Sequence, residues 1–190
     1  MKKLLLIVAM ACSLQGCFFV AGAAAGAAAI TVVYDHRKIE KIAQDKTIAK
    51  RASDQIQADP ELADNTHIIV TCFNQTLLLT GQATTPELRQ RAEELVSDTP
   101  KIKRIYNQIT IQGPTSALTR TSDSWITTKI TTRMLATEGL KSSTIKVITE
   151  NGTVYLMGIV THQQANIAVD IAREISGVQK VMKIFQYSDR

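Results

Sequence analysis

The sequence predicts an α+β fold built twice, as two tandem modules in which two helices pack on a small three-stranded mixed sheet. Three observations lead there. The second half of the chain repeats the first at a nearly constant offset. Each half passes through helical and strand periodicities in the order helix, strand, strand, helix, strand, and a stretch rich in Gly, Pro, Ser and Thr divides the two. Asp45-Lys-Thr-Ile48 matches Asp123-Ser-Trp-Ile126 at an offset of 78, and Asn74-Gln-Thr-Leu-Leu-Leu-Thr-Gly81 matches Asn151-Gly-Thr-Val-Tyr-Leu-Met-Gly158 at 77. Ala92, Leu95, Ile102 and Ile105 match Ala168, Ile171, Val178 and Val181 at 76, so single-residue slips separate the copies, as loop deletions in a duplicated module would.

The 190-residue chain opens with a segment expected to be removed. Met1-Lys2-Lys3 is a charged start, Leu4 to Cys12 is an apolar core, and Leu14-Gln15-Gly16-Cys17 follows at cleavage distance, the order of a signal peptide over residues 1–16. Those four residues resemble a bacterial lipobox, which makes Cys17 the expected site of lipid attachment. Three acyl chains, each methylene contributing about 0.8 kcal/mol when buried, would hold the mature chain on a membrane without a spanning helix. Phe18 stands where inner-membrane lipoproteins commonly carry Asp, which favours the periplasmic face of the outer membrane. Residues 17–44 read as this cysteine and an Ala/Gly-rich tether. Its apolar run, Phe18 to Val33, is shorter than the roughly 18–20 residues needed to cross a bilayer. Gly22 and Gly26 have the spacing of a helix-packing face, but Gly and Ala recur there by composition.

The first module is expected over residues 45–112. Ile48, Ala52 and Ile56, four apart, mark its first helix; Ile68, Val70 and Cys72, then Leu77 and Leu79, alternate as the inward faces of two strands. A second helix over about Pro86 to Ser97 leads to a last strand from about Lys103 to Ile111. Residues 113–122 read as a linker. The second module, 123–190, repeats the order with Ile126, Ile130 and Met134 on a helix, Ile145, Val147, Thr149, Val154 and Leu156 on two strands, a helix over about Gln163 to Ser176 and a strand over about Lys180 to Tyr187. Asn151-Gly152 is a strong hairpin signal and Asn74-Gln75 its weaker counterpart. About 65 residues make a marginal core alone, so the modules are expected to pack together.

Composition narrows the function. With 45% hydrophobic and 21% charged residues, the chain is neither disordered nor a polytopic membrane protein. The formal charge is 22 − 17 = +5, and 20 − 17 = +3 once Lys2 and Lys3 leave, too small and dispersed to mark a nucleic-acid partner but suited to anionic lipid. Cys12 leaves with the signal and Cys17 is acylated. Cys72 then has no disulfide partner, and its inward position makes it an inert thiol. His36, His67 and His162 are isolated, with no His-x-x-x-His, Cys-x-x-Cys or Gly-x-Ser-x-Gly. No catalytic residue, metal or cofactor is expected.

The duplication supplies a control for a binding surface. Stepping 100° per residue from Trp125, the core stripe of its helix centres at about 140°, and Trp125, Thr128, Lys129, Thr132, Leu135 and Ala136 lie on the other side. The first module has Thr47, Lys50, Arg51, Asp54, Gln57 and Ala58 there. Either Trp125 and Leu135 bury against the first module or the linker, or they enter a lipid interface while Lys129 and Arg133 meet phosphate.

The lipobox, the tether, Val-Tyr-Leu-Met-Gly158, Ile175-Ser-Gly-Val178 and the segments Asp123-Ser-Trp-Ile-Thr-Thr-Lys129, Lys141-Ser-Ser143 and Thr149-Glu-Asn-Gly152 resemble the dual BON-domain lipoproteins of the bacterial outer membrane. The resemblance spans nearly the whole chain. It implies a non-enzymatic protein that binds anionic phospholipids, phosphatidylglycerol or cardiolipin, through the first helix of its second module. It also implies enrichment at the division site, a role in outer-membrane integrity, and association with the barrel-assembly machinery and septal peptidoglycan hydrolysis. The alternative is an adaptor that docks such proteins on the same helix face.

Overall fold

Buried Ile48, Ala52 and Ile56 recur every fourth residue along helix α1 (Ile39–Ala58), and that stripe seats the helix on a sheet. The computed structural model describes residues 39–188, so the signal peptide, Cys17 and most of the tether lie outside the described residues. A short helix α2 (Pro60–Asn65), absent from the sequence reading, follows because Asp59 accepts hydrogen bonds from the amides of Glu61 and Leu62 and Pro60 begins the turn. Strands β1 (Thr66–Phe73) and β2 (Thr76–Ala83) pair antiparallel, from Thr66 with Ala83 to Phe73 with Thr76. Helix α3 (Pro86–Ser97), capped by Thr85, returns the chain so that β3 (Arg104–Asn107) and β4 (Thr110–Ile111) run parallel to β2.

The last strand of this module, expected to be continuous, is broken at Gln108-Ile109. Ile109 turns into the helix-side core, and the Asn107 amide spans the break by donating to the Arg89 carbonyl and accepting from the Ile109 amide. His67 lies in β1.

The second module repeats the plan. Helix α4 (Ala117–Leu135) is followed by a 3-10 turn (Ser142–Thr144), β5 (Ile145–Glu150), β6 (Thr153–Val160), helix α5 (His162–Arg173) and β7 (Lys180–Tyr187). β5 pairs antiparallel and β7 parallel with β6. The chain is therefore α+β, with two small mixed sheets. Helix α4 starts earlier than expected: Ser116 caps it at the Thr119 amide, so residues 117–122, read as linker, are its first turns.

One device recurs in both copies. Buried Asp45 accepts hydrogen bonds from the amides of Asn74 (2.7 Å) and Gln75 (2.9 Å), and buried Asp123 from those of Asn151 (2.8 Å) and Gly152 (2.9 Å). Both central residues of each turn have positive φ, between 47° and 71°, as a two-residue hairpin of this hand requires. Each helix thereby holds the hairpin that crosses beneath it. Gly81 and Gly158 are a second matched pair: a Cβ would stand 1.9 Å from the His67 carbonyl oxygen in one and 2.7 Å from that of Thr144 in the other.

The sheets meet face to face. Cys72, Leu77 and Leu79 point toward α1 and α3, and Val154 and Leu156 toward α4 and α5, which makes two helix-side cores. The opposite faces join in a third core of Phe73, Leu78, Tyr155, Met157 and Ile184. Alternation along β2 and β6 thus feeds two cores from one strand, and the order of layers is helices, sheet, sheet, helices. At one end the Gln82 amide donates to Glu150 (2.6 Å), and at the other Gln186 bonds Asn74 and Thr76. The expected packing of module on module is this interface.

Candidate functional site

Asp123, Ile126, Ile130 and Met134 are the buried residues of α4, so the rest of the helix forms the outside of the sandwich. Trp125 is 52% exposed, Leu135 59% and Leu118 80%. Trp125 is therefore not buried against the first module or the linker. Thr128, Lys129, Thr132, Arg133 and Ala136 are exposed as well, so every residue singled out on this helix in the sequence lies on its open side. Leu118 was missed because its segment reads as linker. Seven residues before Trp125, it stands on the same line of the helix.

The Lys129 ammonium sits 3.5 Å from the centroid of the Trp125 ring, within the range of a cation–π contact. The pair presents an aromatic plate and a cation side by side. The Arg133 guanidinium pairs with the Glu174 carboxylate on the flank toward α5, both side chains about half exposed.

Several hydroxyls on this helix bond back to its own carbonyls. Thr121, Ser124 and Thr128 donate to the carbonyls of Ala117, Arg120 and Ser124, each four residues back. That bonding satisfies these three hydroxyls within the helix. On α1 the equivalent face carries the Lys50–Asp54 ion pair (2.7 Å) with Thr47 and Gln57.

Chemistry outside this face is sparse. Burial pushes the Cys72 thiol up to about 12, with the nearby Asp45 carboxylate adding to the shift, and its sulfur donates to Asp45, which fits the expected inert thiol. Thr149 replaces it in the second copy and bonds Thr127 (2.8 Å). Among the described residues no group of three or more His, Cys, Asp or Glu is placed to hold a metal, and no helix is long and apolar enough to cross a membrane.

A family model described as BON domain matches residues 44–113 and 122–188, one copy for each module. The chain belongs to the BON-domain family. Over its whole length, and 97% of the relative, it is 33% identical to Outer membrane lipoprotein DolP of Haemophilus influenzae. It is 34% identical to the 21 kDa hemolysin of Actinobacillus pleuropneumoniae over 80% of this chain and 79% of that one. The C-terminal domain of CdsD, a structural protein of the type III secretion system of Chlamydia trachomatis, aligns with 74% of this chain and 65% of that one at 14% identity and a TM-score of 0.29, too slight a likeness to carry an argument. In BON terms, the exposed Trp125 face is the outer surface of the first helix of the second domain.

Proposed function

We propose that this BON protein is a periplasm-facing outer-membrane lipoprotein that binds anionic phospholipid through the α4 face, and that this affinity concentrates it at the division site. Full-length similarity to an outer membrane lipoprotein supports the outer-membrane, lipoprotein part of the reading. The observation that carries the lipid part is the exposure of Trp125, Leu118 and Leu135 on one helix face, with Lys129 over the indole, where the twin helix is polar.

The energetics suit a tethered reader. Burying the exposed half of the indole contributes about 2–3 kcal/mol, and each nearby basic residue adds about 1 kcal/mol on an anionic surface. Such a face alone binds weakly. An acyl anchor at Cys17 would keep it at high local concentration, so that weak affinity selects position within a membrane already chosen.

The test is co-sedimentation of residues 18–190 with vesicles of phosphatidylcholine alone or with phosphatidylglycerol or cardiolipin, at low and high salt. Binding should require the anionic lipid and weaken with salt. Trp125→Glu should reduce it at least tenfold while leaving the melting temperature unchanged. No binding to any vesicle would overturn the reading and make the face a docking surface for envelope proteins such as the barrel-assembly machinery.

A further inference from the structure

The first module carries a cationic groove of its own. An open cleft of ≈ 560 Å³ runs between α1 and the turn after α3, lined by Lys41, Gln44, Thr47, Arg51 and Lys101, with Glu40 its single carboxylate. Lys41, Arg51 and Lys101 form no ion pair among the described residues, whereas Lys50, Arg91 and Arg133 are all paired. Three cations against one carboxylate leave this concavity net positive, a field that favours an entering anion.

Lys101 is placed there against backbone preference. Its φ is +72°, a region that costs a side-chain-bearing residue but not glycine. The twin position, 76 residues on, is Gly177 at φ +95°, where a Cβ would stand 2.9 Å from the Ile126 side chain. In the second module the turn thus closes onto the helix. In the first, a lysine occupies the same turn and the gap over Ile48 stays open.

We infer that this groove binds a phosphate group, held by the guanidinium of Arg51 and the ammonium groups of Lys41 and Lys101, with Thr47 and Gln44 as polar neighbours. It is separate from the Trp125 face. Helices α1 and α4 form opposite outer layers, so a bilayer seated on one leaves the other in water. The phosphate is either that of a soluble anion or that of a lipid headgroup met in a second orientation.

The probe is inorganic pyrophosphate, titrated into the full lipidated chain in neutral detergent micelles and followed by backbone amide shifts. Saturable shifts at Lys101 and Thr47 are expected. Arg51→Gln and Lys101→Gly should each weaken binding at least tenfold, and Lys101→Gly should melt no lower than the wild type, since the twin turn uses glycine. Trp125→Glu should bind pyrophosphate normally, which separates this site from the lipid face. Phosphatidylglycerol vesicles then distinguish the sources. If Trp125→Glu retains residual vesicle binding that Lys101→Gly removes, the phosphate is a headgroup; pyrophosphate binding without it identifies a soluble anion. Absence of saturable shifts, or unchanged affinity in both groove variants, overturns the inference.

Discussion

Asp123 shows what a single side chain does in this fold. Its carboxylate is buried, lies on a helix, and is satisfied by two amides of a hairpin 28 and 29 residues away. Asp123→Ala leaves those amides without their acceptor and should cost about 1–3 kcal/mol, read as a lower midpoint in urea with an unchanged slope. Asp45→Ala should behave alike in the first module. That the two aspartates correspond is legible in the sequence. Their task is not, because a helix and a turn that far apart share no local pattern. Trp125 is the converse case: helical spacing and comparison with Thr47 place it on the outer face, but only side-chain exposure decides between lipid-ready and packed.

At the scale of elements, α4 departs furthest from expectation. Gly113-Pro114 and the following Ser and Thr residues read as a linker, and a window of such residues has no strong helix propensity. The Ser116 cap nevertheless starts the helix at Ala117. The extension brings Leu118 into line with Trp125. Because Leu118 is 80% exposed, Leu118→Ser should leave the melting temperature within about a degree while lowering anionic-vesicle binding several-fold, a loss of about 1–2 kcal/mol. A full-strength Leu118→Ser would show that only the C-terminal part of the helix reaches lipid. The broken last strand of the first module was equally hidden, since Ile109 fits an alternating strand pattern as well as it fits a break.

The whole molecule is two marginal modules made into one body by their inner sheet faces. Phe73, Leu78, Tyr155, Met157 and Ile184 form a core that neither module completes alone, and the buried Gln82–Glu150 bond adds a polar contact that rewards one alignment. Met157 is fully buried there, so Met157→Ala should cost about 2–5 kcal/mol. Calorimetry should still show a single transition at a lower temperature, as both modules lose the shared face together. Two separated transitions would mean that the modules fold independently.

The sequence by itself determined the duplication, the order of elements, the helix-side faces of both sheets and the one helix whose outer face departs from its twin. These are local periodicities and internal matches, and chain chemistry alone encodes them. The tertiary structure decided which surfaces stay open: the second face of each sheet is closed by the other module, no described residue covers the Trp125 face, and the groove at Lys101 survives because its turn stands off the helix. Exposure depends on what lies opposite a residue in space, and no spacing along the chain records that.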